Sequence, residues 1–120
     1  MSTITLARSR CVNANCPAVH VSEESGTGYV VGAVVETVPL GMDVGPGEGV
    51  IVLPADVTAA AAAAYPLAGL APFASWPGVS VDRVSGVGYV VGRWAVRPPV
   101  GVAAGPGEAV ISIDQVFTAV

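Results

Sequence analysis

Gly28-Tyr29-Val30-Val31-Gly32 returns unchanged, sixty residues later, as Gly88-Tyr89-Val90-Val91-Gly92. Few sequence features constrain a fold more than a period of this kind. Laying residues 16–60 on residues 76–120 needs no gap and gives 20 identical pairs out of 45. The identities are turn glycines, prolines and strand valines: Pro17, Val19 and Val21 on Pro77, Val79 and Val81; Ser25-Gly26 on Ser85-Gly86; and Gly45-Pro46-Gly47-Glu48 on Gly105-Pro106-Gly107-Glu108. The polar positions diverge, with His20 on Ser80, Glu23 on Arg83 and Glu36 on Val96. A duplication that keeps its packing and turn residues and loses its polar ones was held to a shape, which argues against catalysis shared by both copies.

A unit of about 60 residues buries too little surface to be secure alone, whereas a chain of about 120 buries roughly two thirds of its unfolded surface. The two copies are therefore expected to share one core within a single domain, 1–120, with an N-terminal arm at 1–15 and a linker at 61–75. Each copy reads as three strands and a helix. Val19 and Val21 alternate with His20 and Ser22, which predicts a strand with one wet face. Ser25 to Gly28 reads as a turn. Tyr29 to Glu36 is apolar at nearly every position, the pattern of a strand covered on both faces. Gly32 and Gly92 inside these strands mark a bulge or a close backbone approach, and are candidates for the point where the copies cross. Gly45-Pro46-Gly47-Glu48 has the proline and glycine of a type II turn and leads into a strand at Gly49–Leu53.

Pro54, Asp56 and the alanine run Ala59–Ala64 predict a helix that Tyr65-Pro66 stops. In the second copy Asp114 is the expected N-cap of a short helix through Gln115, Val116 and Phe117. Ser2 to Leu6 reads as an edge strand or an ordered arm. The fold class is thus α+β, mostly β, with two tandem β-β-β-α units about a pseudo-twofold axis.

Charged residues make up only 12% of the chain, about half the usual share. The shortage suggests that part of the exterior is covered by a partner or a second copy. With five basic side chains, no lysine and a net charge of −4, the chain lacks the clustered positive charge that nucleic acid requires. The richness in Ala, Val, Gly and Pro is typical of genes from high-GC bacteria. No signal peptide is expected from residues 1–10, so a cytoplasmic location is expected, or a virion if the chain is an assembly component. The uncharged stretch Val57–Ser75 is broken by Pro66, Gly69 and Pro72 and is too alanine-rich to predict a membrane span.

Cys11, Cys16 and His20 have the spacing C-x4-C-x3-H. Structural zinc wants four ligands, the nearest fourth candidates being Glu23 or Glu24. The second copy holds Trp76 and Ser80 in place of Cys16 and His20, so its fold needs no metal, and two ordinary cysteines with a surface histidine are the preferred reading. A Cys11–Cys16 disulfide is sterically conceivable but would not persist in a reducing cytoplasm. Cys16 and His20, four residues apart on an extended strand, lie roughly 13 Å apart, too far for proton transfer. No Gly-x-Ser-x-Gly elbow is present. Gly26, Gly28 and Gly32 precede a strand instead of leading into a helix, so they fail the dinucleotide fingerprint. Glu48 and Glu108, the acidic pair present in both copies, read as solvated turn residues, and Tyr29 and Tyr89 as aromatics of the core or its edge. No catalytic residue and no cofactor are expected. Trp76, Trp94 and Phe117 are expected as core or interface anchors, and an exposed Arg93-Trp94 pair would resemble a binding hot spot.

Asn15-Cys16-Pro17-Ala18-Val19-His20, Gly28-Tyr29-Val30-Val31-Gly32 and Gly47-Glu48-Gly49-Val50-Ile51-Val52-Leu53-Pro54 resemble small uncharacterised actinobacterial proteins. Those carry an Asn-Cys-Pro-x-Val-Tyr strand, a Val-Val-x-Gly strand and a Pro-Gly-Glu turn, and are often encoded beside helix-turn-helix regulators. The resemblance covers about 40 residues per copy; the duplication and the missing second cysteine depart from it. It implies a small regulatory accessory protein that binds another protein. The expectation is a non-enzymatic interaction protein that binds a regulator or itself. The alternative is a structural component of a virion or other assembly, such as a phage decoration protein.

Overall fold

The computed structural model describes residues 3–8, 16–38, 41–64 and 69–117. It is mostly β: an antiparallel sheet with one helix among the described residues. The strands are β1 (Thr3–Arg8), β2 (Ala18–Ser22), β3 (Gly28–Val34), β4 (Glu48–Leu53), β5 (Val79–Val81), β6 (Gly88–Trp94) and β7 (Glu108–Ile113). Helix α1 (Ala55–Ala63) follows β4, and a short 3-10 turn covers Phe73–Ser75.

The pairing is exchanged between the two halves of the chain. β3 pairs with its sequence neighbour β4 at only two positions, Ala33 opposite Val52 and Val34 opposite Ile51. Its long partner is β7, from Gly28 opposite Ile113 to Ala33 opposite Glu108. β4 in turn pairs along its whole length with β6, from Leu53 opposite Gly88 to Glu48 opposite Arg93. β6 meets β7 at Arg93 opposite Ser112 and Trp94 opposite Ile111. The ladder therefore closes through β3, β4, β6 and β7, and none of these four strands presents an unpaired edge along its full length. β1 and β2 extend the sheet beyond β3, and β5 extends it beyond β6.

Gly32 and Gly92 are both buried, each where its strand changes neighbour. β3 leaves β2 after Val31 and takes β4 from Ala33. β6 leaves β5 after Val90 and takes β7 from Arg93. A Cβ on Gly32 would lie 2.6 Å from the Val52 carbonyl oxygen, and one on Gly92 would lie 2.7 Å from that of Ser112. The close backbone approach signalled by these glycines is thus the price of bending one strand past two partners.

One core cluster takes Val19, Val21, Val30, Ile51 and Leu53 from the first half and Trp76, Val90, Ile111, Ile113 and Val116 from the second. A smaller cluster joins Val31, Val102 and Val110 beneath the loop before β7. Helix α1 buries Val57, Thr58 and Ala61, and Thr58 stands directly over Gly88.

Two sequence expectations are corrected. β2 has no wet face: all five of its residues are buried, His20 and Ser22 included. β1 pairs alongside it, and the Thr5 hydroxyl meets the His20 ring. The second helix expected from Asp114 is not formed either. Gln115 takes a left-handed φ of 58°. Val116 N donates to Gly26 O at 3.0 Å, Val116 O accepts from Ala71 N at 3.0 Å, and Phe117 bridges Leu70. Backbone hydrogen bonds with distant segments win over a local cap, and the place over Gly28 is filled by Trp76 and Val116. β1 is the expected edge strand, with a register shift between Thr5 and Ala7. The Tyr65-Pro66 helix stop lies outside the described residues; the helix ends at Ala63.

Candidate functional site

The turns that carry Glu48 and Glu108 are clamped by those side chains. Glu48 N donates to Gly45 O at 3.1 Å, and Glu48 Oε1 accepts from Gly45 N at 2.7 Å. Glu108 does the same with Gly105, at 3.0 Å for both bonds, and its Oε1 also accepts from Cys16 N at 3.2 Å. Gly47 and Gly107 both take a φ of 75°, as a type II turn requires. A carboxylate that satisfies backbone donors at the mouth of a turn gives a structural reason for its presence in both copies.

Each clamp borders a cleft, and the two clefts draw on residues sixty apart. The wider, of about 540 Å³, is lined by Glu48, Pro77, Arg93, Ser112 and Asp114 among others. The narrower, of about 350 Å³, has Glu108, Pro17, Ala33, Val52 and Pro54 at the corresponding positions, with Val87 and Pro106. Arginine, serine and aspartate on one side thus stand against alanine, valine and proline on the other. The first cleft is a place for polar groups, and the second is an apolar groove with a single carboxylate on its wall.

His20 lines neither cleft. Burial, and secondarily the Arg8 charge, push its pKa down to about 4, so the ring is neutral at physiological pH. Cys16 is disulfide-bonded, and the other cysteine of the sequence, Cys11, lies outside the described residues. A sulfur in a disulfide is neither a metal ligand nor a nucleophile, so the zinc and thiol readings lose Cys16. The preferred reading of ordinary cysteines is corrected at Cys16, where the disulfide held sterically conceivable from the sequence is formed. Among the described residues no group of three or more His, Cys, Asp or Glu is placed to hold a metal ion. Among them, too, no helix is long and apolar enough to cross a membrane.

The four expected anchors separate. Trp76 is 2% exposed, lies edge-to-face on Phe73 with ring centres 5.1 Å apart, and donates Nε1–H to Ala71 O at 2.9 Å. It is a core residue. Phe117 is half-buried against the same cluster. Arg93 and Trp94 are exposed at the end of β6. The Trp94 ring lies over Gly49, where a Cβ would collide with it. Val34 and Ala109 stand sixty residues from Trp94 and Gly49, so neither the ring nor the glycine beneath it is repeated.

Three surface residues escaped the sequence reading: Val84, 98% exposed, Val96, 88%, and Val100, 99%. A signal for two of them was present, because the first copy has Glu24 and Glu36 at the corresponding positions. Exchanging a solvated glutamate for an exposed valine removes charge from the surface where the fold gains no burial. No protein-family model matches this chain, and no curated protein or solved structure matches it significantly.

Proposed function

We propose that this chain is a non-enzymatic docking protein that binds another protein or a second copy of itself, in the manner of a small regulatory accessory protein. The observation that carries the reading is the set of nearly fully exposed valines, Val84, Val96 and Val100, together with the exposed Trp94. Charged residues are only 12% of this chain, and a surface so short of charge that also presents bare apolar side chains is suited to being covered in use. The architecture supports it. We read the repeat as a tandem duplication about a pseudo-twofold axis, because the β3–β7 and β4–β6 registers correspond position for position at an offset of sixty. In such a body one cleft and one tip can diverge for binding while their counterparts hold the shape.

The test is native mass spectrometry of the tagged chain recovered from its own cells, beside a variant carrying V84E, V96E and V100E. The reading expects a mass above that of a single 11.9 kDa chain for the unsubstituted protein and its loss in the variant. A single-chain mass for both would refute it.

A second reading, a structural component of a virion or other assembly, is favoured by the disulfide at Cys16. Disulfides persist on virion surfaces and in other oxidising surroundings, and are rare in a reducing cytoplasm. Mass spectrometry of protein lysed into an alkylating agent separates the two: cysteines that take up the label only after reduction favour the assembly reading, and cysteines labelled without reduction favour the cytoplasmic one.

A further inference from the structure

We propose that the chain forms a twofold dimer in which the Arg83-Val84 tip of each copy seats in the apolar groove of the other. The proposal rests on the docking reading above and names its partner.

The tip is built to be presented. Asp82 N donates to Val87 O at 2.9 Å, and Gly86 N to Asp82 O at 2.8 Å. Asp82 Oδ1 accepts from Val84 N at 2.8 Å and Ser85 N at 3.0 Å, and Ser85 Oγ accepts from Val87 N at 3.2 Å. Five hydrogen bonds therefore hold a six-residue turn whose foremost apolar side chain, Val84, is 98% exposed. A turn ordered in advance loses little freedom on binding. At the corresponding turn of the first half the residues are Glu23 and Glu24, so the apolar, cationic tip belongs to the second half alone.

The groove has the complementary character. Pro17, Val52, Pro54, Val87 and Pro106 wall a volume of about 350 Å³, and Glu108 is the ionisable side chain among its lining residues. An apolar group with a neighbouring cation is what such a wall accepts, and Arg83-Val84 supplies both. The sister cleft has Arg93, Ser112 and Asp114 at the places of Ala33, Val52 and Pro54, so it offers Val84 no comparable apolar wall. Val87 is at once the base of the turn and part of the groove wall, so tip and groove adjoin on one surface. Two copies facing each other about an axis beside Val87 can exchange tips reciprocally, and the contact is made twice.

Sedimentation equilibrium of the intact chain over a wide concentration range tests this, beside V84E and A33R. Each substitution installs the residue found at the corresponding position of the other half, Glu24 or Arg93, where this fold already carries it. The expected result is a monomer–dimer equilibrium, with the dissociation constant raised at least tenfold by either substitution and unchanged circular dichroism and urea midpoint. A monomer at every concentration, a dimer indifferent to both substitutions, or a mass that climbs past two chains would each overturn the reciprocal dimer. A purified chain that is monomeric, yet loses a heterologous complex when V84E is introduced, would overturn it and leave the docking reading standing.

Discussion

His20 offers a quantitative check on the buried face of β2. The ring is 2% exposed, shares a 2.9 Å hydrogen bond with the Thr5 hydroxyl, and has its pKa lowered from 6.5 to about 4 by burial and by Arg8. Between these two values the unfolded chain binds the proton and the folded chain does not. Stability contributed by the neutral ring is therefore fully present above pH 6.5 and is lost as pH falls toward 4. The displacement from 6.5 to about 4 corresponds to roughly 3 kcal/mol when complete, of which about 2 kcal/mol is gone by pH 5, before most carboxylates protonate. Urea unfolding of the wild type and of H20Q at pH 7.5 and pH 5 measures this. The wild type should lose about 2 kcal/mol more than the variant between the two pH values. The comparison is a difference of differences, so any loss that H20Q causes at neutral pH cancels. Equal losses in the two proteins would refute the neutral, buried histidine and with it the covered face of β2.

Three further outcomes follow from the packing. Ala at Gly32 or Gly92 would press on a backbone carbonyl at 2.6 or 2.7 Å, and each substitution should lower stability by about 1–3 kcal/mol in chemical denaturation. Glu108→Ala should cost about 1.5–3 kcal/mol, and more than Glu48→Ala, because Glu108 holds two backbone N–H groups where Glu48 holds one; equal costs would count against the Cys16 contact. Fragments 1–64 and 65–120 should each lack a cooperative unfolding transition and regain one on mixing, since the long strand pairs join one fragment to the other; a transition in either fragment alone would count against the exchanged pairing.

The strands were legible because turn glycines and valine runs mark them locally, and β3, β4 and α1 fall close to where those signals place them. Their partners were not. β4 finds much the same sequence, Gly-Tyr-Val-Val-Gly, in β3 and in β6, so local pattern cannot select between them. The choice of β6 is made by the whole closed ladder. The covered face of β2 was hidden for a similar reason: alternation at Val19, His20 and Val21 predicts one wet face, but β1 comes from a stretch with no counterpart in the second copy. Asp114 carried a sound capping signal that failed because Val116 found backbone partners in Gly26 and Ala71. At the candidate site, Arg93 and Trp94 were readable as an exposed pair, whereas Trp76 went to the core, since a chain short of large residues uses its rings to fill space. The contrast between the clefts was readable only once the strands had brought residues far apart in sequence to one wall.

The exchanged ladder also bears on how the protein is made. β3 is translated well before β7, yet most of its length waits for that strand, at residues 108–113. Until β6 and β7 have been made, the inner edges of β3 and β4 have only their two-residue contact with each other, and the ladder stays open. Long-range β pairing of this kind is slow and leaves strands open to foreign partners in the interval. Nascent chains should therefore be the species most prone to co-aggregate, and a stalled chain ending before residue 108 should be a far better chaperone substrate than the finished protein.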